Sequence, residues 1–301
     1  MCAVASSTME KWSSLSGIRA GAGQVEVFRI ADEQELQDVI RRTLQAGRKL
    51  FSLGAGSNLI GSDGTNEHVA MIDGRKGLTR IRCSHGRFIV GAGVPLSFLA
   101  ARAATAGLKG LCELSGIPGT LGGAVAMNAG ALGHSLSEFV ESLTVVDLDT
   151  GERIVLSGDS LQGWGYRQSP VTNRQYVVEA ELRLEPSLSS VEQGRLQEER
   201  LRRAQVTPKG CSCGSVFRNP PGQVAGKLLE EAGCKGKCMG PFSVSQQHAN
   251  WIVNLSGAPG SAADCRQLVQ WMQEQVARKF GVALRPEWRF FDDLVACDQK
   301  I

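Results

Sequence analysis

Polar and apolar positions along the chain alternate between helical and strand periods. Asp32 to Gly47 has the helical one: Leu36, Val39, Ile40 and Leu44 form a stripe, Asp32 supplies a cap with Glu35 three residues on, and Gly47 stops the helix. Lys49–Leu53 and His68–Ile72 read as short strands, and Leu78–Cys83 with Phe88–Gly91 as a hairpin about Ser84-His85-Gly86. Pro95 suits the first position of a helix that Gly107 ends. Ser142–Asp147 and Arg153–Leu156 form a second hairpin about Asp149-Thr150-Gly151. From Gln175 to Leu184 the period is two, with Val178, Ala180, Leu182 and Leu184 on one face and Glu179, Glu181 and Arg183 on the other.

Past Glu185–Ser190 the texture changes. Val191–Gln205 is a charged helix, Val224–Ala232 a short one, and Ala262–Phe280 a longer one. In the last, Ser261 and Asp264 resemble a capping box, and Cys265, Leu268, Val269, Met272, Val276 and Phe280 make the stripe. Strands are expected at Phe242–Ser245, Trp251–Leu255 and Glu287–Phe291. The plan is α+β throughout: one domain over residues 1–190, in lobes of about 1–77 and 78–190, and a smaller domain over 191–301.

Composition narrows the class. Apolar content of 42% and charged content of 21% describe a soluble globular chain, and 36 glycines among 301 residues favour loops that close on a ligand. A net charge of +3 gives no ground for nucleic-acid binding. No apolar run approaches the roughly 18 residues of a membrane span, and MCAVASSTMEKW lacks the pattern of a secretory signal. Nine irregularly spaced cysteines then read as reduced thiols, and the expected compartment is the cytoplasm.

Candidate chemistry begins with two glycine loops. Ser115–Gly130, SGIPGTLGGAVAMNAG, has five glycines and no charge, and suits neither a helix nor a strand; Leu53–Leu59, LGAGSNL, is of the same kind. Such backbone can approach a phosphate without interference from Cβ atoms. A Rossmann loop is disfavoured because Leu59 takes the third glycine position and NLIGSDGTN is full of helix breakers where a crossover helix must start. No Gly-Lys-Ser/Thr ends either loop, which removes the Walker phosphate loop. Two glycine loops, each after a strand, fit a long dinucleotide gripped by main-chain N–H groups, with FAD the natural candidate. The expected contacts are Gly54, Ala55, Gly56, Ser57 and Asn58 from one loop, and Pro118, Gly119, Thr120, Gly122, Gly123, Ala124 and Asn128 from the other.

SLGAGSNLI, SGIPGTLGGAVAMNAG, GYRQSP, GSVFRNP, SVSQQHANWIVN and LRPEWRF occur in the order seen in UDP-N-acetylenolpyruvoylglucosamine reductases, and the likeness runs from about residue 17 to 291. The chain resembles that family in its shorter, second type, since only 47 residues separate Arg167 from Ser215. The resemblance implies an FAD domain of two lobes, of the vanillyl-alcohol-oxidase (PCMH) type, and a substrate domain. It implies that NADPH reduces FAD, leaves, and is replaced by a sugar nucleotide whose enolpyruvyl ether takes a hydride at C3 and a proton at C2, the reduction to UDP-N-acetylmuramate in peptidoglycan precursor synthesis. Such a step needs charge stabilisation on the substrate carboxylate and an acid at C2. By the same resemblance Arg167 pairs with the carboxylate, Glu287 lies near it, Ser215 donates the C2 proton, and Tyr166 and Asn219 contact the substrate.

Between Arg202 and Lys237 the chain holds Arg202, Arg203, Lys209, Arg218, Lys227, Lys235 and Lys237 against Glu230 and Glu231, an excess suited to an anionic nucleotide sugar. Arg218 and Lys227 join the expected substrate contacts, Lys227 at the start of a helix. Cys211, Cys213, Cys234 and Cys238 invite a zinc reading, but Cys-x-Cys and Cys-x₃-Cys match the usual knuckle poorly, so no metal is expected. His134 and His248 read as structural. Against the family pattern, Ala55 replaces a glycine, which requires a negative φ, Cys213 replaces a small residue, Arg218 stands where Lys is frequent, Pro241-Phe242 replace Gly-Ala, and RFF follows Glu287 and Trp288. A competing reading is an FAD oxidase of the same fold acting on an alcohol or sugar, with Cys112 close to the second loop for covalent attachment. The partners expected are a small-molecule substrate and NADPH, with no nucleic acid and no membrane, for a monomer.

Overall fold

The structure is a computed structural model that describes residues 6–84 and 87–298. The chain divides into two compact units of interrupted sequence. One runs through Thr8, then Glu26–Ala55 and Glu67–Gln205; the other takes Met9–Val25, Gly56–Asn66 and the chain from Val206 onward. The expected boundary at 185–190 falls inside the first unit, because Ser189–Val206 is a single helix that belongs there. Its buried face is acidic: Glu192 and Glu199 are buried beside Leu196, and Glu192 accepts from Ser187 Oγ at 2.8 Å. Charge density reads as a solvated helix in sequence; here the charges are satisfied inward.

Two larger sheets belong chiefly to the first unit. One has the order Ser6–Lys11, Gln24–Arg29, Asn66–Asp73, Lys49–Leu53, its last pair parallel with Leu50 opposite Ala70. A five-stranded antiparallel sheet has the order Arg153–Ser157, Val140–Asp147, Gln175–Arg183, Arg87–Gly91, Ile81–Ser84. The turn expected at His85-Gly86 lies outside the described residues. Helix Glu33–Gln45 is capped as its sequence demands: Glu35 N–H donates to Asp32 Oδ1 (3.0 Å) and Ala31 N–H to Glu35 Oε2 (2.8 Å). Its buried face is Leu36, Val39, Ile40 and Thr43, while Leu44, expected in the stripe, is exposed.

The strand Gln175–Arg183 serves two cores. Thr144 faces Glu179 but Val145 faces Val177, so Val178 is a bulge. The bulge turns the side-chain alternation over. Tyr176 and Val178 therefore pack with Leu36, Ile40 and Ile72, whereas Val177, Ala180 and Leu182 pack with Leu99, Leu121 and Leu143. The single apolar face read from the sequence is in fact split at Val178.

In the second unit helix Ala262–Phe280 starts at Ser261, whose Oγ accepts from Asp264 N–H at 2.9 Å, and ends at Gly281 with φ +68°. Cys265, Leu268, Met272 and Val276 bury against the antiparallel strands Phe242–Val244 and Ile252–Asn254. The strand expected at 287–291 is two residues long, Arg289–Phe290, and pairs in parallel with Leu59–Ile60. Among the elements that escaped the periodicity are Ser6–Lys11, Gln24–Arg29, Leu121–Ala126 and Phe291–Asp298. No helix among the described residues is long and apolar enough to cross a membrane.

Candidate functional site

The second glycine run is not a plain loop. Leu121–Ala126 is a short helix capped by Thr120, whose Oγ1 accepts from Gly123 N–H at 3.4 Å. Two glycines in six residues argue against a helix by propensity, but the cap and the buried side chains of Leu121, Ala124 and Val125 hold it. The two glycine loops meet within the first unit: a Cβ on Gly54 would stand 3.2 Å from Thr120 Oγ1 and 3.6 Å from Gly123 Cα.

The expectation that the whole run offers N–H groups to a phosphate needs correction. Gly122 N–H donates to Ala92 C=O, Leu121 N–H to Val94 C=O, and Ala124 N–H to Thr120 C=O. Gly122, Gly123 and Ala124 thus contribute close approach, not donors. Among the described residues no protein group accepts from the N–H of Ala55, Gly119 or Thr120, one from the first loop and two from the second. Partly buried donors without partners are costly, and their convergence where the loops meet fits an acidic, elongated cofactor such as FAD. Ala55 does not have a positive φ, so it sits in its loop without strain.

Asn128 makes two side-chain hydrogen bonds within the first unit. Its Nδ2 donates to Gly165 C=O (2.9 Å) and its Oδ1 accepts from Ser137 N–H (3.1 Å). It therefore ties the glycine run to the turn that carries Tyr166 and Arg167. Arg167 has φ +57°, a conformation that costs a non-glycine residue about 1 to 2 kcal/mol. The strain turns its guanidinium back, with Nη2 3.4 Å from Gly130 C=O and Cζ 5.1 Å from the centre of the exposed Tyr166 ring. Strain of this kind is kept where a side chain must be aimed.

In the second unit the segment Ser215–Asn219 runs between two others. On one side Ser215 bridges Trp251, Val216 N–H donates to Asn250 C=O (2.9 Å), and Asn250 pairs its amide with Phe217. On the other side Glu287 N–H donates to Val216 C=O (2.7 Å) and Arg218 N–H to Arg285 C=O (3.0 Å). Ser215 and Glu287, 72 residues apart in sequence, so lie on adjacent extended segments. Gly214, with φ +76°, turns the chain into this segment. Asn58 braces the same frame: its Nδ2 donates to Glu287 C=O (3.0 Å), and its C=O accepts from Arg289 N–H (3.0 Å).

The frame carries two arginines. Arg218 Nε is buried without an acceptor. Arg289, half-buried, is disfavoured as a cation first by burial and then by Arg218, yet a guanidinium does not give up its proton in a protein. Arg289 was quoted in a motif but given no task; a cation two residues from Glu287 was the available signal. Asn219 uses its Oδ1 to accept from Ala225 N–H (3.0 Å) at the start of helix Ala225–Glu231, on which Lys227 is exposed.

The basic excess read from the sequence is smaller in space. Arg202 and Arg203 pair with Glu199 in the first unit, and Lys235 with Glu230 (2.6 Å). Cys213, the departure before Gly-Ser, is buried with Sγ 3.5 Å from Gly56 C=O, and burial pushes its thiol up to about 11. Cys112 is also buried; burial and then Glu192 push it up to about 12, so it is not presented for covalent attachment. Among the described residues no three His, Cys, Asp or Glu side chains are grouped to hold a metal ion. His134 pairs with Glu138 on the surface (2.9 Å). His248 accepts from Asn250 N–H on Nδ1, and burial lowers its affinity for a proton.

Known proteins match both units. The family described as the C-terminal domain of UDP-N-acetylenolpyruvoylglucosamine reductase matches residues 205–291, and an FAD binding domain family matches residues 26–157. A UDP-N-acetylenolpyruvoylglucosamine reductase of Synechococcus sp. (strain WH7803) is 40% identical over 84% of this chain and 83% of its own. One from Nitrosococcus oceani is 40% identical over 89% of each chain. The crystal structure of the reductase (MurB) from Thermus caldophilus is similar with a TM-score of 0.80 and 31% identity, covering 95% of this chain and 99% of that one. With identity at this level over nearly the whole length, and with both a flavin-type glycine cradle and the Ser215–Glu287 frame in place, the chain belongs to the UDP-N-acetylenolpyruvoylglucosamine reductase family.

Proposed function

We propose that this protein reduces the enolpyruvyl ether of UDP-N-acetylglucosamine enolpyruvate to UDP-N-acetylmuramate, using NADPH and FAD, in peptidoglycan precursor synthesis. The observation that carries the reading is the frame of the second unit, where the segment of Ser215 adjoins that of Glu287 through the bond from Glu287 N–H to Val216 C=O, with Arg218 Nε buried without an acceptor beside it. FAD, when bound, supplies the hydride chemistry that links NADPH to the substrate. The loops that meet at Gly54 and Thr120 would hold it, with the N–H groups of Ala55, Gly119 and Thr120 toward its acidic part.

The protein's own groups do the rest. Saturating the enolpyruvyl double bond adds a hydride at C3 and a proton at C2, and charge develops on the carboxylate in between. Arg167, aimed by its left-handed backbone and never neutral, is the partner for that carboxylate. Glu287 is the second group assigned to the carboxylate. Ser215 delivers the proton to C2; a hydroxyl is a weak acid, so its position and a route for reprotonation decide its rate. Arg218 and Lys227 are assigned to the anionic nucleotide, with Tyr166 and Asn219 as further contacts. The proposal places the enzyme in the cytoplasm as a monomer, where a sugar nucleotide and NADPH are both at hand.

The test separates the half-reactions. Purified protein should be yellow, bleach with NADPH, and recolour when the enolpyruvyl sugar nucleotide is added. Ser215→Ala should leave bleaching nearly intact and slow recolouring by about 100-fold or more, the range for loss of a general acid. A protein that binds no flavin on reconstitution would sink the reading; equal slowing of both half-reactions would remove Ser215 from its role.

A further inference from the structure

The motif SVSQQHANWIVN has no part in the chemistry above, yet it supplies the side chain most tightly engaged with the Ser215 segment. Asn250 is 4% exposed. Its Oδ1 accepts from Phe217 N–H (2.9 Å) and its Nδ2 donates to Phe217 C=O (2.9 Å). A carboxamide carries a donor and an acceptor in the layout of a peptide group, so it pairs with both groups of one residue as a neighbouring strand would.

The opposite side explains why a side chain must do this. There Phe217 faces Pro286 as a non-hydrogen-bonded pair: the bonds on either side run from Arg218 N–H to Arg285 C=O and from Glu287 N–H to Val216 C=O, so the main-chain groups of Phe217 turn away from that segment and toward Asn250. Phe217 is 1% exposed, so its main chain has no water to fall back on, and an unmet buried polar group is costly. Asn250 therefore fixes the height of Phe217, and Phe217 lies between Ser215 and Arg218. The main chain of Asn250 adds the bond to Val216 N–H, and its own N–H is held by His248 Nδ1 (3.2 Å).

We propose that Asn250 is a positioning residue for proton delivery, holding Ser215 and Arg218 in register with the substrate through the main chain of Phe217. The inference rests on Ser215 being the C2 proton donor. A displacement of about 1 Å at a reacting group can cost about 100-fold in rate, so the loss should appear in the proton-dependent half-reaction. Reduction by NADPH needs neither Ser215 nor the carboxylate partners and should be nearly unaffected.

Asn250→Asp is isosteric and gives a signature that general loosening would not. As a carboxylate it can accept from Phe217 N–H but repels Phe217 C=O; as a neutral acid it again offers one donor and one acceptor. The titratable groups around it are His248 on its own segment, and Arg218, Glu287 and Arg289 on the facing segments; all are present in the wild type, whose profile is the reference. The experiment measures bleaching by NADPH and recolouring by the enolpyruvyl sugar nucleotide, across pH 5 to 8, for wild type, Asn250→Asp, Asn250→Ala and Ser215→Ala. The expected result is recolouring slowed about 10- to 100-fold at pH 8 in both Asn250 variants, with bleaching within about twofold of wild type. The ratio to wild type should recover on acidification for Asn250→Asp alone. A deficit in Asn250→Asp that is the same at every pH, or equal slowing of both half-reactions in Asn250→Ala, overturns the proposal. Slow recolouring in Ser215→Ala beside unchanged recolouring in Asn250→Asp overturns the positioning role and leaves the Ser215 reading standing. Normal recolouring in Ser215→Ala overturns the Ser215 reading, and the positioning role with it.

Discussion

Gly56→Ala, set against Gly281→Ala, isolates the effect of close packing behind the first glycine loop. The two glycines have φ of +69° and +68°, so alanine carries the same left-handed penalty at each, about 1 kcal/mol. Nothing lies within 4 Å of the Cβ position at Gly281. At Gly56 the new Cβ would overlap the Leu15 carbonyl oxygen, with Ser16 Cα 3.5 Å away. The loop can escape only by withdrawing from the Leu15–Gly17 turn. That breaks the bond from Gly17 N–H to Gly56 C=O (2.8 Å) and strains the one from Ser16 Oγ to Leu59 C=O (2.7 Å). Two such bonds at about 1 kcal/mol each, with the φ penalty and the packing lost on withdrawal, give a destabilisation of about 3 to 4 kcal/mol. Urea denaturation of the flavin-loaded variants, followed by tryptophan fluorescence, measures both. The steric argument fails should the two substitutions lower stability by the same amount.

Two further perturbations probe helix starts. Asp63 accepts from the N–H groups of Ala22, Ala262 and Ala263 at 2.7 to 2.9 Å; burial works against its charge, but these donors outweigh it and hold the carboxyl below its usual 3.8. Its stabilisation is therefore full above about pH 5 and is lost as the pH falls through the lowered value. Asp63→Asn should cost about 1 kcal/mol at pH 7, with the gap to wild type narrowing as the pH falls below 3.8; a gap of constant size would contradict the assignment. Thr120→Ala should remove the cap on Leu121–Ala126, cost about 1 kcal/mol and hasten flavin loss on dilution, whereas Thr120→Ser should retain both; equal retention in the two variants would deny the cap a role in the cradle.

The long amphipathic elements were legible because their information is local. Helix Ala262–Phe280 has its cap and stripe within 20 residues, and in the structure Ser261 caps it and Cys265, Leu268, Val269, Met272 and Val276 are buried. Leu121–Ala126 was not legible, since six glycine-rich residues form a helix only where Thr120 and the surrounding core support them. Thr43 in place of Leu44, and the bulge at Val178, are choices made by neighbouring strands and helices. The order of motifs along the chain named the family, and the match of Arg167, Ser215 and Glu287 to those motifs, not their residue types, suggested their tasks.

Pattern and motif order thus determined the α+β class, the presence of two glycine loops and the kind of ligand they suit. Only the tertiary structure decided which donors of those loops remain available, because Ala92, Val94 and Thr120 take up N–H groups that the sequence leaves unassigned. It alone placed the segment of Ser215 beside that of Glu287, set Arg218 against Arg289, and gave Asn250 its partner. The reason is physical: a glycine or an asparagine carries no long-range instruction in its own periodicity. What each does is fixed by which backbone groups the folded chain leaves unpaired next to it.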